Sequence, residues 1–385
     1  ANVTIPDSVT KIGEGAFSFL YSSSNNYTDR VDNINANEYG GALYLGNEKN
    51  PYAALVGTKY RVSSVEMHPS TKVVCDGLFA KRENLTSVKI DGVTRIDDGA
   101  FKDCKKLTSV TISDSVTSIG ETAFSGCSSL NSITIPSGLT SIGVAAFSGC
   151  GSLVSITIPD GVTSIENLVF SGCGSLTSVV IPSGVTSIGA NAFSYCSSLT
   201  SVTIPDSVTK IGHYAFENCN LTFNEYGNAR YLGTAKNPYF ALIEAVNTNI
   251  KSVDINENTK IIANFAFDDC EGLESLTIPG SVKVVGGWAF CDCRNITSVT
   301  VLSGVTEIGS GAFAGCEKLD YVTIPKSVTS IGSAIFGWDK FITVTYEGTM
   351  QEWSYFALDK GVEAQEGYGR ATIKCSDGET YFNFY

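Results

Sequence analysis

The sequence predicts an α/β repeat solenoid, in which each repeat forms one coil with a short parallel strand and a short helical or 3₁₀ turn. Three observations predict this fold. A phenylalanine and a cysteine recur together at 23-residue intervals, a period-two run of apolar residues precedes them, and proline and glycine separate the two patterns. Roughly eight apolar positions per repeat cannot enclose a core alone, so each coil has to stack on its neighbours.

The spacing of apolar residues marks the strand of each coil. In the copy "LNSITIPSGLTSIGVAAFSGCGS", residues 130–152, Ile133 and Ile135 alternate with polar residues, which places one face of a short strand in the core. Pro136 follows directly. Because proline donates no ladder hydrogen bond, it ends the strand.

The second half of this copy predicts a turn followed by a short helix. Gly143 can turn the chain, because glycine adopts positive φ without strain. Ala146, Phe147 and Cys150 then recur at the spacing of one helical turn, which predicts a short helix or 3₁₀ segment. A parallel β-helix is the alternative fold, and this helical spacing disfavours it.

Nine of the twelve cysteines keep this register and form a predicted ladder along the coils. Equivalent side chains of stacked coils point the same way, so their Cβ vectors do not converge as a disulfide requires. A single-file row also offers no tetrahedral cage for a metal ion. We therefore expect free, buried thiols that act as small apolar core residues. They are Cys104, Cys127, Cys150, Cys173, Cys196, Cys219, Cys270, Cys293 and Cys316.

The complete unit, L-x-x-V-x-I-P-x-x-V-x-x-I-G-x-x-A-F-x-x-C, resembles the bacterial BspA-like class of leucine-rich repeats over most of the chain. The resemblance implies a right-handed leucine-rich repeat solenoid. It also implies export or surface display by a bacterium, with adhesion or host-protein binding as the function. The asparagine position of the common eukaryotic repeat is absent, so the ligand-binding rules of that class do not carry over.

Two related segments interrupt the repeats, at about residues 21–60 and 224–248. "NEYGGALYLGNEKNPYAALV" at 37–56 matches "NEYGNARYLGTAKNPYFALI" at 224–243, and both predict a β-hairpin. These insertions are either purely structural or aromatic ledges that contact a partner, since tyrosine is enriched in binding hot spots. The candidate contacts are Tyr39, Tyr44, Tyr52, Tyr226, Tyr231 and Tyr239.

The repeats and their insertions form one predicted domain at residues 1–340, and residues 341–385 form a C-terminal capping segment. From Phe341 onward the A-F-x-x-C pattern is lost and aromatic residues become frequent. The open end of a solenoid exposes its core, so an atypical terminal segment is expected to cover it. Ligand binding by this tail is the secondary interpretation.

The outward face of the predicted strands carries ladders of hydroxyl side chains, spaced by about 4.8 Å in stacked coils. Small and β-branched residues suit an exposed strand without any ligand, although such an array could also contact a sugar or a peptide. Tyr321 and Asp254 interrupt the ladders, and Tyr321 is a further candidate contact. The ladders comprise Ser109, Thr111, Ser132, Thr134, Ser155, Thr157, Ser201, Thr203, Ser275, Thr277, Ser298 and Thr300.

Composition and charge exclude several functions. The net charge of −13 leaves no excess of Lys and Arg to displace counterions, which argues against binding to nucleic acid. No apolar stretch reaches the length of about 18 residues that a membrane span needs. Asp29, Asp32 and Asn33 lie in a polar loop, but their spacing fits no EF-hand, and we expect no metal or other cofactor.

The residues suited to catalysis form no recognisable site. His68 and His213 are the two histidines, and neither position recurs as histidine between repeats. No G-x-S-x-G nucleophile motif occurs. Glu363 and Glu366 in the tail could serve as an acid and a base. The sequence therefore predicts a protein that is not an enzyme.

The first hypothesis is a non-enzymatic binding or adhesion module, which recognises a protein or a glycan through an extended repeat surface. We expect it to be monomeric, and the family resemblance places it outside the cell or at the bacterial surface. The second hypothesis is a passive spacer that displays another region. The third is a glycan-active enzyme that uses the carboxylates of the tail.

Overall fold

The computed structural model divides the chain into two compact units. The first comprises Ala1–Val202 with Ala215–Leu221, and the second comprises Thr203–Tyr214 with Thr222–Tyr385. The structure describes residues 3–13, 16, 36–58, 62–74, 76–336, 341–358 and 370–383. Each unit is a stack of coils built on parallel strands.

Each coil of the first unit contributes one longer and one shorter strand. In the longer strands, exposed hydroxyl or charged residues alternate with buried apolar ones, as the period-two pattern predicts. The longer strands are Ser64–Glu66, Ser87–Ile90, Ser109–Ile112, Ser132–Thr134, Ser155–Thr157 and Ser178–Val180, and Ser201–Thr203 spans the boundary between the units. The shorter strands are Val73–Val74, Arg95–Ile96, Ser118–Ile119, Ser141–Ile142, Ser164–Ile165 and Ser187–Ile188.

The second unit repeats this arrangement and ends in an extended sheet. Its longer strands are Ser275–Ile278, Ser298–Val301, Tyr321–Ile324, Phe341–Tyr346, Arg370–Cys375 and Gly378–Asn383. Its shorter strands are Lys210–Ile211, Ile261–Ile262, Val284–Val285, Glu307–Ile308 and Ser330–Ile331. One helix, Met350–Leu358, completes the part of this unit that the structure describes.

Neighbouring coils pair residue for residue in parallel. Ser132 lies opposite Ser109 and Thr134 lies opposite Thr111 on the longer strands. The same register holds on the shorter strands. Because the repeats have 23 residues, apart from one of 22 between Ser87 and Ser109, equivalent residues stack without slip, and the predicted solenoid of parallel strands is confirmed.

The A-F-x-x-C segments form hydrogen-bonded turns in the described coils, which corrects the predicted short helix or 3₁₀ segment. The Cys127 amide donates to the Phe124 carbonyl of its own coil at 3.1 Å, whereas the Phe124 amide donates to the Ala146 carbonyl of the next coil at 2.8 Å. Thr122 and Gly126 have φ values of 51° and 73°. This alternation turns every second amide toward the next coil, whereas a helix bonds its amides internally.

Phenylalanine rings stack along the core of each unit. In the first unit, the Phe147 ring lies between those of Phe124 and Phe170, with centroid distances of 5.4 and 5.8 Å and planes within 7°. The second unit has an equivalent stack from Phe267 to Phe336. The rings are in contact because the spacing between coils, about 4.8 Å, is close to the centroid distance of about 4.5–7 Å at which aromatic rings stack.

The ladder cysteines run beside these rings, and most are fully buried. The Cys150 thiol donates to the Phe124 carbonyl at 3.2 Å, and the Cys293 thiol donates to the Phe267 carbonyl at 3.1 Å. The cysteines that the structure describes are free thiols. Cys219, the last of the first run, is half-buried.

Each insertion forms three antiparallel strands, one more than the predicted hairpin. In the first unit the strands are Asn37–Tyr39, Ala42–Leu45 and Ala54–Thr58. In the second unit they are Asn224–Tyr226, Ala229–Leu232 and Ala241–Ala245. The third strand then pairs in parallel with Val73–Val74 or with Ile261–Ile262. Each insertion therefore extends the sheet of short strands in its own unit.

The C-terminal segment continues the sheet of longer strands. Phe341–Tyr346 pairs in parallel with Tyr321–Ile324, and Arg370–Cys375 pairs in parallel with Phe341–Tyr346. Gly378–Asn383 closes the sheet as an antiparallel edge. Apolar residues of this segment, including Val344, join the core of the second unit.

The helix Met350–Leu358 begins with a capping box, because Thr349 and Glu352 each accept a hydrogen bond from the other's backbone amide. Its Trp353 packs edge-on against Tyr346 at 5.3 Å, and both rings are buried. No helix among the described residues combines the length and the apolar character that crossing a membrane requires.

Candidate functional site

The strand face of the second unit carries two straight side-chain ladders. One runs through Ser275, Ser298, Tyr321, Thr343 and Thr372. The other runs through Thr277, Thr300, Thr323, Thr345 and Lys374. Tyr321 is the bulky member, and 64% of its surface is exposed. Its ring therefore rises above a surface of small hydroxyl side chains.

The strand face of the first unit is also mainly hydroxylic. The predicted Ser and Thr ladder is present in register, and it begins with a cross-strand ion pair of 2.6 Å between Lys89 and Glu66. Val180 occupies the position opposite Thr157 and is 74% exposed. This exposed valine departs from the hydroxyl pattern on that face, and it was not singled out from the sequence.

Two of the predicted contact tyrosines are buried, so that part of the site prediction is wrong. Tyr44 and Tyr231 have no exposed surface, and burial raises the pKa of each phenol to about 12. Each tyrosine lies on the middle strand of its insertion, opposite a β-bulge in the third strand, where the pairing skips Val56 or Ile243. In the core, the hydroxyl of Tyr44 accepts a hydrogen bond from the His68 amide, and that of Tyr231 accepts one from the Asn256 amide.

In the first insertion, Tyr39 and Tyr52 form an aromatic cluster with His68. The His68 ring stacks on Tyr52 at 4.0 Å and meets Tyr39 edge-on at 4.8 Å. His68 Nδ1 accepts a hydrogen bond from the Ser70 amide at 3.0 Å, which assigns the proton of the neutral ring to Nε2. Both tyrosines are half-buried, so each presents part of its ring.

In the second insertion, Tyr226 and Tyr239 occupy the equivalent positions and meet edge-on at 6.0 Å. The Tyr226 hydroxyl donates to Asp254 Oδ2 at 2.9 Å, and this hydrogen bond raises the pKa of the phenol. Asp254 thus lies beside the insertion, where it orients an exposed tyrosine. Tyr226 and Tyr239 remain accessible, whereas Tyr231 between them is buried.

A row of aromatic residues on the turn side of the second unit was missed by sequence reasoning. Tyr214, Phe265 and Trp288 each occupy the position directly before A-F and have φ values of 54°, 59° and 58°. The rings of Phe265 and Trp288 are nearly parallel, with centroids 6.1 Å apart. The signal in the sequence was an aromatic residue at a position that elsewhere holds Gly, Ala, Thr, Asn or Leu.

Among these three residues, Tyr214 and Trp288 are exposed and Phe265 is half-buried. Trp288 and Tyr214 are 40% and 48% exposed. His213 stacks on Phe265 at 3.9 Å, and its Nε2 has no hydrogen-bond partner. One edge of the row borders a groove of about 370 Å³, whose lining includes Ile261, Val284, Gly287, Trp288, Glu307 and Ser310.

One group of described residues has the composition of a metal site. The ligand atoms of Asp268, Cys291 and Asp292 lie within 4.8 Å of one another. The Cys291 thiol donates to Asp292 Oδ2 at 3.2 Å, and burial raises the pKa of this thiol. The sulfur is thus held as a protonated donor, which opposes its use as a metal ligand.

The structure does not assemble the remaining sequence candidates into a catalytic site. His68 and His213 are packed against aromatic rings in different units. The carboxylates Glu363 and Glu366, and the loop residues Asp29, Asp32 and Asn33, lie outside the described residues.

Comparison with known proteins identifies a family and a set of similar folds. The family model for the BspA type leucine rich repeat region matches in six copies, at residues 1–43, 58–174, 94–222 and 246–360. The search of curated proteins gave no match.

The solved structures that are similar to this chain include three bacterial proteins. A leucine rich cell surface protein of Faecalibacterium prausnitzii is 27% identical, with a TM-score of 0.47, over 86% of this chain and 98% of that one. A leucine-rich repeat protein of Bacteroides ovatus is 23% identical, with a TM-score of 0.43, over 89% and 97%. The pneumococcal vaccine antigen PcpA is 18% identical, with a TM-score of 0.40, over 82% of each chain.

Proposed function

Because the chain belongs to the BspA-type leucine-rich repeat family, we propose that it is a non-enzymatic binding module, secreted or displayed at a bacterial surface, that recognises a protein partner. The observation that carries this proposal is Tyr321. A tyrosine in a ladder of serine and threonine, 64% exposed, contributes little to the core. Large aromatic residues on a flat surface are the usual anchors of protein interfaces.

The geometry around Tyr321 suits docking of a folded protein surface. Its ladder neighbours Ser298 and Thr343 are small, so a partner can close around the tyrosine ring and exclude water from it. Hydroxyl groups on both sides can donate and accept hydrogen bonds at the rim. A passive spacer has no need of such a residue, since threonine serves the strand equally well.

The test measures binding of the full chain to a panel of immobilised host matrix proteins and to a glycan array. We expect saturable binding to a protein, and a loss of about 30-fold or more in affinity for Tyr321→Ser, as for a hot-spot residue worth about 2 kcal/mol. Tyr195→Ser is the matched control, because Tyr195 is 57% exposed on the turn side of the first unit.

Each alternative predicts a different outcome of the same test. A passive spacer shows no saturable binding to either panel. Binding to glycans alone would show that the partner is a carbohydrate and not a protein. If the Tyr321→Ser variant still binds with unchanged affinity, the partner contacts another part of the surface. The variants Tyr226→Ala and Tyr239→Ala then test whether the second insertion makes that contact. Glycan turnover that disappears in Glu363→Gln or Glu366→Gln would support an enzyme instead.

A further inference from the structure

A groove of about 370 Å³ crosses the shorter strands of the second unit. Ile261 pairs with Val284, and Val284 pairs with Glu307, so these three residues follow one another on the same face of the sheet. The residue that follows each of them in its strand belongs to the core of the unit. The face that carries Ile261, Val284 and Glu307 is therefore the one that borders the groove.

This face is apolar in the second unit and hydroxylic in the first. Ile261 and Val284 line the groove, and Trp288 borders it. The Trp288 ring is held in place by Phe265, at 6.1 Å, and by Gly311, where a Cβ would lie 2.6 Å from the indole. Apolar and aromatic walls of this kind are typical of binding sites. In the first unit, serine occupies most of the equivalent positions, namely Ser118, Ser141, Ser164 and Ser187.

The two ends of the groove carry opposite charges. Glu307 lies one strand beyond Val284. At the other end lies Lys210, on the coil whose Ile211 carbonyl accepts a hydrogen bond from the Asn264 amide at 3.1 Å. Lys210 and Glu307 are exposed, and no described residue forms an ion pair with either of them. Both charges are therefore available to a ligand.

The lining of the groove also includes a backbone donor. The Asn264 side chain accepts a hydrogen bond from the Gly287 amide of the next coil at 2.9 Å. Gly287 holds the same position one coil later but has no side chain, so the Ser310 amide has no hydrogen-bond partner among the described residues. Gly287 and Ser310 both line the groove. An unpaired backbone amide in a groove suits a carbonyl oxygen of a peptide ligand.

We propose that this groove binds an extended segment of a partner protein, in which an acidic, an apolar and a basic residue are each two positions apart. The acidic side chain contacts Lys210 and the basic one contacts Glu307. The apolar side chain between them covers Val284 and the adjacent Ile261. As in the proposed function, on which this step rests, the partner is a protein, but the contact is separate from Tyr321, which lies on a longer strand.

The length of the groove matches the spacing of an extended chain. Three coil steps separate Lys210 from Glu307, and at about 4.8 Å per step they amount to about 14 Å. In an extended chain, residues four positions apart are separated by about 13 Å, and every second side chain points to the same side. The middle residue then lies over the apolar face. The two opposite charges favour a peptide over a neutral glycan, which carries neither.

The test measures the affinity of the full chain for end-blocked pentapeptides by calorimetry. Physiological salt is used, because it screens long-range attraction to the acidic chain. The peptides ESLSK and KSLSE carry opposite charges in the two chain directions, whereas ESLSE and KSLSK carry like charges. We expect ESLSK or KSLSE to bind at least about tenfold more tightly than both like-charge peptides.

Variants of the chain test each contact separately. Lys210→Glu should transfer the preference to KSLSK, and Glu307→Lys should transfer it to ESLSE, since each variant gives both ends the same charge. Gly287→Asn should weaken binding about fivefold or more without lowering the melting temperature, because the new side chain caps the Ser310 amide and fills the groove. Lys251→Glu is the matched control and should keep the original preference, since Lys251 is exposed in the second unit outside the groove.

Several outcomes overturn the proposal. They are a Kd above about 5 mM for both ESLSK and KSLSE, equally tight binding of the like-charge peptides, and affinities that the charge variants and Gly287→Asn leave unchanged. Binding of a neutral glycan that Trp288→Ala abolishes, without peptide binding, would assign the groove to a carbohydrate instead. Tyr321→Ser should leave the peptide affinities unchanged, so failure of the Tyr321 contact and failure of this groove are distinguishable.

Discussion

Replacing Phe147 by alanine tests whether the ring stack holds the coils together. The ring is fully buried and lies between two others at 5.4 and 5.8 Å. Removing about 150–250 Å² of buried aromatic surface at about 25 cal/mol per Å² costs about 4–6 kcal/mol. Phe-to-Ala changes in protein cores cost about 3–5 kcal/mol. We therefore expect a loss of about 4 kcal/mol in the stability of the surrounding coils.

Hydrogen exchange measured coil by coil is the suitable assay, because stacked repeats open locally and a single unfolding midpoint would average over them. About 4 kcal/mol corresponds to an increase of roughly a thousand-fold in exchange at amides limited by opening of that coil. The increase should be greatest in the coil of Phe147, smaller in the coils of Phe124 and Phe170, and should decline further with distance.

Two further variants serve as comparisons for Phe147→Ala. Phe216→Ala removes a ring that stacks on Phe193 at 5.6 Å near the end of the first unit, and we expect it to cost about 1 kcal/mol less than Phe147→Ala. Tyr195→Ala removes an exposed ring and should cost less than about 0.5 kcal/mol. If Phe147→Ala and Tyr195→Ala have similar effects, the stack does not stabilise the coils and the reasoning is refuted.

Three other predictions concern the thiols and the turn side. Cys127 and Cys150 should resist a maleimide in the folded chain, because both are fully buried and burial raises the pKa of each thiol. The half-buried Cys219 should be labelled faster, as mass spectrometry can show, and rapid labelling of Cys150 would contradict this prediction. Trp288→Asn introduces a residue that tolerates the φ of 58° at this position, so we expect a change in stability of less than about 1 kcal/mol, measured by thermal melting. A loss above about 2 kcal/mol would mean that the indole is a core residue. Gly311→Ala places a Cβ about 2.6 Å from the Trp288 ring and should shift the tryptophan emission, and an unchanged spectrum would show that the indole lies elsewhere.

The stack of parallel coils was predictable because it depends on a regular spacing. The interval of 23 residues between Cys127 and Cys150 sets the register of every strand between them, and Ser132 and Ser155 face solvent as the alternation requires. Burial of the ring at Phe147 follows from the same periodicity. Such features need only local patterning and equal repeat length, which a single sequence displays.

The turn segments were not predictable from the spacing alone. Residues three apart lie on one face of a helix, but successive turns with hydrogen bonds across three residues give the same spacing. The conformation depends on positive φ at two positions four residues apart, and in this chain Thr122, Ala145 and Leu168 occupy the first of these positions in place of glycine. Without the glycine signal, the alternation becomes visible only through the hydrogen bonds between coils.

The burial of Tyr44 was also not predictable from the spacing of residues in the sequence. All four residues of Ala42–Leu45 are buried, which a strand with strict alternation does not produce. The register shifts beside Tyr44, where the pairing skips Val56 of the next strand, and the His68 amide donates to the tyrosine hydroxyl at 3.1 Å. A buried phenol needs such a partner, and the one available here is 24 residues away in the chain.

The coil geometry also indicates which departures from the repeat carry information about function. The position before A-F has positive φ in every described repeat coil and directs its side chain outward, so it contributes little to the core. A bulky residue there costs about 1–2 kcal/mol relative to glycine. The pairing of Phe265 with Trp288 offsets part of this cost, but Trp288 and Tyr214 remain exposed. Stability therefore does not explain these side chains, and together with Tyr321 they make the second unit the first place to search for a partner.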